Sequence, residues 1–177
     1  MSKIETARLT LRPLQASDAT QAYADWLNDP EVNRYLETRH SPQSLESCAA
    51  FIEQCNADSS SHLFGIFNRA SGQHIGNAKI GFISSHYQRG QLSLFIGEKA
   101  FWGQGLSSEL VRALTEYGFQ TLGLNRIEAG CYEDNLASLR VFLKAGYTVE
   151  GFMREQVTLD GKRMGCFWLG VLASEYT

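Results

Sequence analysis

Apolar residues along this chain change their spacing in a way that separates helices from strands. Leu9, Leu11 and Leu14, broken by Thr10 and Arg12, predict an opening strand. Ser17-Asp18 then precedes Ala22, Tyr23, Trp26 and Leu27, which predict a helix. Asp29-Pro30 predicts a further short helix carrying Val32, Tyr35 and Leu36, because proline is favoured at a first helical position. Ser41-Pro42 repeats that signal ahead of a one-sided stripe, Leu45, Cys48, Ile52 and Cys55. The polar residues 56–61 end it.

Strand signals follow. Residues 63–67 and 75–83 flank a loop at 68–73 containing Gly72, which predicts a hairpin, and residues 91–96 add a third strand. The order then alternates. A helix is expected over about 107–122, with Leu106, Leu110, Leu114, Tyr117 and Leu122 near helical spacing. Residues 125–132 read as a strand. Asn135 reads as an N-cap, Leu139, Phe142 and Leu143 as a helix face, and Gly146 as its stop. The last pair of strands, 149–159 and 163–172, meets across Asp160-Gly161, a strong turn signal. These elements predict a mixed α/β sheet, antiparallel first and partly parallel later, in one domain spanning 1–177.

Composition narrows the function classes. The 177 residues suffice for one domain with a substantial core. A formal net charge of -3 gives no electrostatic footprint for nucleic acid. Cys48, Cys55, Cys131 and Cys166 show no C-x-x-C pair and no zinc spacing, so no metal is expected. The first residues lack the apolar run of a signal peptide, and no segment approaches the about 18 apolar residues of a membrane span. A reduced, cytoplasmic setting is the expectation.

The chemistry concentrates in residues 96–109. A strand end, a loop containing Gly103 and Gly105, and a helix start follow one another here. Such a turn aims free backbone N–H groups and the positive end of a helix dipole at one point, suited to a pyrophosphate. The two glycines permit close approach and unusual φ values. A dinucleotide fingerprint would need a third glycine where Ser108 stands, and a P-loop would need Gly-Lys-Ser/Thr. A plain tight turn without a ligand is the alternative reading of the same residues.

The order of elements and four blocks of sequence resemble the GNAT superfamily of acetyl-CoA-dependent N-acetyltransferases, in particular its ribosomal-protein alanine and serine acetyltransferase branch. The blocks are residues 6–14, residues 102–109, Asn135 to Ser138 with residues 142–147, and Glu150-Gly151 with residues 160–162. The resemblance covers nearly the whole chain. It implies a twisted sheet of about seven strands flanked by about four or five helices. It implies acetyl-CoA as acetyl donor and a primary amine as acceptor, a protein N-terminus or a small molecule such as a nucleotide-linked amino sugar. Residues 26–32 resemble acetyltransferases of such sugars.

The resemblance also implies roles. Trp102, Gly103, Gln104, Gly105, Leu106, Ser107 and Ser108 would hold the pyrophosphate, and Phe95 and Ile96 would pair with the pantetheine arm as an added strand would. Asn135 would hydrogen-bond that arm, and Ser138 would lie near the thioester sulfur. Phe142 stands where many relatives carry a tyrosine acid, which raises Ser138 as the proton donor; local helix capping is the alternative for this serine. Direct transfer needs no enzyme nucleophile, so Cys131 reads as a small buried residue. A base must deprotonate the amine. Glu155, His86 and Glu98 are the candidates, although by count Val157 occupies the position of the branch's catalytic glutamate. Tyr35, Arg39 and His86 are candidate substrate contacts, together with Glu31, Arg34 and Glu37. A non-catalytic acyl-CoA-binding or sensing domain on the same scaffold is the alternative function. A homodimer is compatible with the sequence.

Overall fold

Alternation along the strands gives one sheet two apolar faces, and helices cover both. The structure, a computed structural model, describes residues 2–176. Its strands are β1 (Ile4–Glu5), β2 (Leu9–Pro13), β3 (His62–Asn68), β4 (His74–Ser84), β5 (Arg89–Ile96), β6 (Arg126–Tyr132), β7 (Thr148–Leu159) and β8 (Lys162–Leu172). Its helices are α1 (Gln21–Asn28), α2 (Leu45–Ala57), α3 (Leu106–Gln120) and α4 (Leu136–Lys144). The sheet runs β1-β2-β3-β4-β5-β6-β8-β7. Every neighbouring pair is antiparallel except β5 and β6. No helix among the described residues is long and apolar enough to cross a membrane.

On β3, Phe64 and Ile66 enter a core with Ile80, Leu92, Ile127 and the α3 residues Leu110 and Leu114. Leu63 and Phe67 turn the other way, toward Tyr23 and Leu27 of α1 and Cys48 and Ile52 of α2. The period of two thus sends alternate side chains into two cores. Asp160 and Gly161 both have positive φ, 51° and 74°, as a two-residue hairpin turn between right-twisted strands requires.

Three expectations shift. The short helix expected from Pro30 is a run of turns leading to a 3-10 turn at Glu37–His40. Asp29 explains this: its carboxylate accepts from Glu31 N–H at 2.9 Å, while Asn33 Nδ2 donates to Leu27 O at 2.7 Å. Such side-chain to backbone bonds compete with a helical ladder. Helix α2 starts at Leu45, capped reciprocally by Ser44 and Ser47, and not at Pro42. The two-residue strand β1, too short to show alternation, brings the count among the described residues to eight strands with four helices.

Candidate active site

The only parallel pair among the described residues does not stay together. β5 and β6 register at Arg89↔Arg126, Gly90↔Ile127 and Gln91↔Glu128 and then part. β5 continues along β4 as far as Ile96, while β6 continues along β8 to Tyr132↔Cys166. From Leu92 onward the edge of β5 that faces β6 is therefore unpaired. The gap is a wedge, closed near Gln91 and wide at the C-terminal strand ends. Each of these strands runs into a helix, so the N-termini of α3 and α4 flank the wide end.

Backbone geometry builds the β5 side. Gly103 and Gly105 have φ of 73° and 75°, in the left-handed region. Gly105 occupies the N-cap of α3 without any side-chain cap. Among the described residues, no N–H from Gly103 to Ser108 donates to a protein acceptor. A Cβ at Gly103 or Gly105 would meet nothing within 4 Å, so the space before these amides is open. Free helix-start amides with open space before them suit an anion.

The loop is pinned from behind. Trp102 Nε1 donates to Ile96 O at 2.8 Å, and Gln104 Nε2 to Ala100 O at 2.8 Å. Arg8 donates from Nη1 to Gln104 O at 2.8 Å and from Nε to Glu109 at 2.8 Å. Glu109 would otherwise place a bare negative charge in the first turn of α3. Burial disfavours its ionisation, but hydrogen bonds from Thr6 and Arg8 outweigh that and hold its carboxyl below the usual range. The pair leaves the helix start free to attract an anion.

On the β6 side, Asn135 caps α4, its Oδ1 accepting from Ser138 N–H at 3.1 Å. Ser138 is half-buried, with Oγ 3.4 Å from Cys131 Sγ. Burial pushes the Cys131 thiol up, against a smaller opposing effect of Ser138, so Cys131 stays protonated. That agrees with a buried residue rather than a nucleophile. Phe142 lies edge-on to Tyr147 with ring centres 5.0 Å apart, and Tyr147 bonds Thr115 Oγ1 at 2.8 Å.

Beneath the wedge, distant segments meet. Tyr132 closes β6, and its hydroxyl donates to Glu37. Burial first, then Glu37, pushes the Tyr132 phenol up to about 12, while that hydrogen bond holds Glu37 below the usual carboxyl range. Arg39 lies over the Tyr132 ring at 5.3 Å, and Tyr35 meets the same ring edge-on at 5.7 Å. Arg34 spans to Asp134 at 3.7 Å and to Asp160 at 2.8 Å. Next to this cluster lies a cavity of about 380 Å³, walled by β4 and β5 and roofed by the 35–43 loop and α2. Its sheet wall includes Ser93, Leu94 and Phe95, on the stretch of β5 that has left β6.

The candidate residues divide by position. The loop 102–108, Phe95, Ile96, Asn135 and Ser138 surround the wide end of the wedge. Tyr35 and Arg39 lie below it. The β7–β8 hairpin projects past the end of β6, since Tyr132 pairs with Cys166 and β8 begins four residues earlier. This carries Glu155 to the same end. Glu155 sits in a bulge between Met153 and Val157 with φ of 52°, and its carboxylate has no ion-pair partner among the described residues. Bulges often re-aim a side chain beside an active site. Val157 packs beside Tyr132 and Leu159. Glu98 follows β5, but its carboxylate accepts from Gln73 at 3.4 Å, toward the β3–β4 turn. His86 lies in the β4–β5 turn, at the closed end of the wedge, against Tyr87. Tyr132 and Asn77 carry no motif and were not marked by the sequence as site residues. Asn77 did leave a signal, a lone amide within the apolar run of β4.

The description Acetyltransferase (GNAT) domain matches residues 8–148. The chain belongs to this family and is an acyltransferase. An N-acetyltransferase from Bacillus licheniformis, p20, of uncharacterised role, is 28% identical over 99% of both chains. The uncharacterised N-acetyltransferase YoaA of Bacillus subtilis is 32% identical over 89% of both. Among solved structures, a spermidine N-acetyltransferase from Vibrio cholerae, in complex with CoA and spermine, superposes with a TM-score of 0.87. It is 19% identical, over 97% of this chain and 99% of that one, and it shares the fold.

Proposed function

We propose that this protein transfers acetyl from acetyl-CoA to a primary amine, with the cofactor in the β5–β6 wedge. The observation that carries this reading is the row of unpartnered N–H groups from Gly103 to Ser108 beside an unpaired strand edge. The amides hold the pyrophosphate, and the free edge of β5 at Phe95 and Ile96 accepts the pantetheine arm as an added strand. Asn135, whose Oδ1 is engaged by Ser138, has its Nδ2 to offer that arm.

When bound, acetyl-CoA supplies an activated acyl carbon and a sulfur leaving group. The chain's own groups do the rest. N–H groups on the free edge of β5 stabilise charge developing on the acyl oxygen. Glu155 takes the proton of the attacking amine, directly or through water. Ser138 Oγ gives a proton to the departing sulfur and is reprotonated from solvent. Glu98 and His86 receive no role, one engaged with Gln73 and the other at the closed end. The acceptor is a protein N-terminus or a small-molecule amine such as a nucleotide-linked amino sugar.

The test is thioester consumption with a panel of amines. Amine-dependent release of CoA thiol is expected. Binding of acetyl-CoA with no release for any amine would contradict catalysis and favour an acyl-CoA sensor.

A further inference from the structure

Polar side chains line the cavity between the 35–43 loop, α2 and β5, yet most of them are already engaged with one another. Gln43 Nε2 donates to Ser41 O at 3.0 Å, and its Oε1 accepts from Ser47 Oγ at 3.1 Å. Asn77 Oδ1 lies 2.8 Å from His74 Nε2, and the Tyr23 hydroxyl is hydrogen-bonded to the Asn77 side chain. Asn77 Nδ2 and Thr38 Oγ1 are buried to less than 1 Å², so neither opens onto the cavity. Arg34 bonds the Tyr35 hydroxyl, and Glu37 accepts from Tyr132. The Lys79 stem runs past Gly81, and its ammonium lies over the Phe51 and Phe82 rings at 5.4 and 5.9 Å. Phe82 does not line the cavity, so this charge is drawn away along β4.

What stays open to an occupant is apolar. Tyr23, Leu27, Leu36, Phe51, Leu63 and Phe95 bring ring and methyl surface from α1, the loop, α2, β3 and β5. The volume of about 380 Å³ is at the small end for ligand sites. Ser93 is the exception. It is exposed, and its Oγ has no partner among the described residues. It lies two residues past Gln91, where β5 has just left β6, on the stretch that would border the acyl group.

These walls select among amines. A polyamine would bury several ammonium groups beside one carboxylate, Glu37, that Tyr132 already occupies. An amino sugar would trade the water on its hydroxyls for side chains whose hydrogen bonds are taken. An apolar body loses nothing here and gains burial.

We infer that the acceptor is a monoamine with a compact apolar body, which fills this cavity while its nitrogen stands at Ser93. This rests on the acetyl-transfer reading and narrows it, away from polyamines and amino sugars. Phe51 and Leu36 are then specificity-determining residues, and Ser93 Oγ accepts a hydrogen bond from the amine.

The test measures CoA thiol release with phenethylamine, ethylamine, spermidine and glucosamine. Wild type is expected to favour phenethylamine over ethylamine about 10–100-fold in kcat/KM, as for burial of a phenyl group. Because the amines differ in basicity, the deciding readout is how a variant changes the ratio of phenethylamine to spermidine. Phe51→Glu puts a carboxylate on the apolar wall at a position that is 38% exposed. It is expected to lower that ratio about tenfold or more. Leu36→Glu, in the roof loop, should act in the same direction and serves where Phe51→Glu does not fold. Spermidine or glucosamine as the best substrate, or an unchanged ratio in a folded glutamate variant, overturns the inference. Ser93→Ala is expected to slow every amine about fivefold, near the value of one hydrogen bond, and to leave the ratio as it was. Unchanged rates in Ser93→Ala overturn the placing of the nitrogen. If wild type turns over none of the four, calorimetry with phenethylamine and spermidine in the presence of CoA decides by the same ratio, and no binding of phenethylamine overturns the inference. The thermal response of wild type to acetyl-CoA reports separately on the cofactor site.

Discussion

On the β5 side of the wedge, position is set by backbone. Two glycines with φ near +75°, an uncapped helix start and a free strand edge form one short, contiguous stretch. On the β6 side and below, position is set by side chains from far apart in the chain. Tyr132 holds Glu37, Arg39 reaches Thr158 O at 3.4 Å, and Arg34 bridges Asp134 and Asp160. Lys99 ties Asp29 at 2.7 Å, and also Glu31, to the turn leading into the glycine loop. The first wall suits a constant ligand, since backbone amides do not depend on side-chain identity. The second can be rewritten one residue at a time, which suits a variable acceptor.

Substitutions can break or sharpen this contrast. The largest effect is expected from Glu155→Gln, a fall in kcat of at least about 100-fold with acetyl-CoA affinity retained, as for loss of a general base. Glu98→Gln should stay within about twofold of wild type; steady-state kinetics on both variants check this. A severe loss from Glu98→Gln with an active Glu155→Gln would reverse the assignment. Ser138→Ala comes next, with kcat down about tenfold and KM for acetyl-CoA held, as for a group acting on the departing sulfur. If only stability falls, Ser138 is a helix-start residue and nothing more.

Tyr132→Phe removes the hydroxyl that Glu37 accepts. About 1 kcal/mol of stability should go, a drop in unfolding midpoint of about 2–4 °C for a chain of this size. Hydrogen exchange should speed up over residues 29–40 and not over the start of α3. Uniform loosening of both walls would contradict their independence.

Acid should give the smallest effect. Hydrogen bonding by Tyr132 and by Lys99 lowers the folded pKa values of Glu37 and Asp29. Groups with depressed pKa stabilise the fold above their unfolded values, near about 4, and lose that contribution as pH falls through the folded values. Below about pH 4, residues 29–40 should therefore exchange faster, and so should the start of α3, where Glu109 loses its bonds to Thr6 and Arg8 in the same direction. Raising pH from 6 to 8 should change nothing through these groups.

The same contrast explains what could be read from the sequence. Strands, helices and the glycine loop were legible because their signals are local: period two, helical spacing, caps, and Gly103 and Gly105 before an amphipathic helix. The expected helix after Pro30 failed for a local reason as well, because the Asp29 and Asn33 side chains take up backbone partners. The acceptor side was legible only in fragments. Tyr35, Glu37 and Arg39 could be named as contacts. Their junction with Tyr132, about 95 residues on, depends on where β6 ends in the sheet. His86 is near β5 in sequence yet at the wrong end of it, which only the parallel register with β6 reveals.

Thermal unfolding with and without acetyl-CoA, on wild type and Gly105→Val, tests the cofactor wedge most directly. Valine at φ of +75° adds backbone strain and projects a branched side chain into the open space before the helix-start amides. At about 100 times its dissociation constant the ligand should add about 2.7 kcal/mol, which corresponds to a rise of about 5–10 °C in wild type. A folded Gly105→Val that loses this rise is the predicted result. An equal rise in both proteins, or none in wild type at saturating acetyl-CoA, would contradict the placement of the cofactor on this loop.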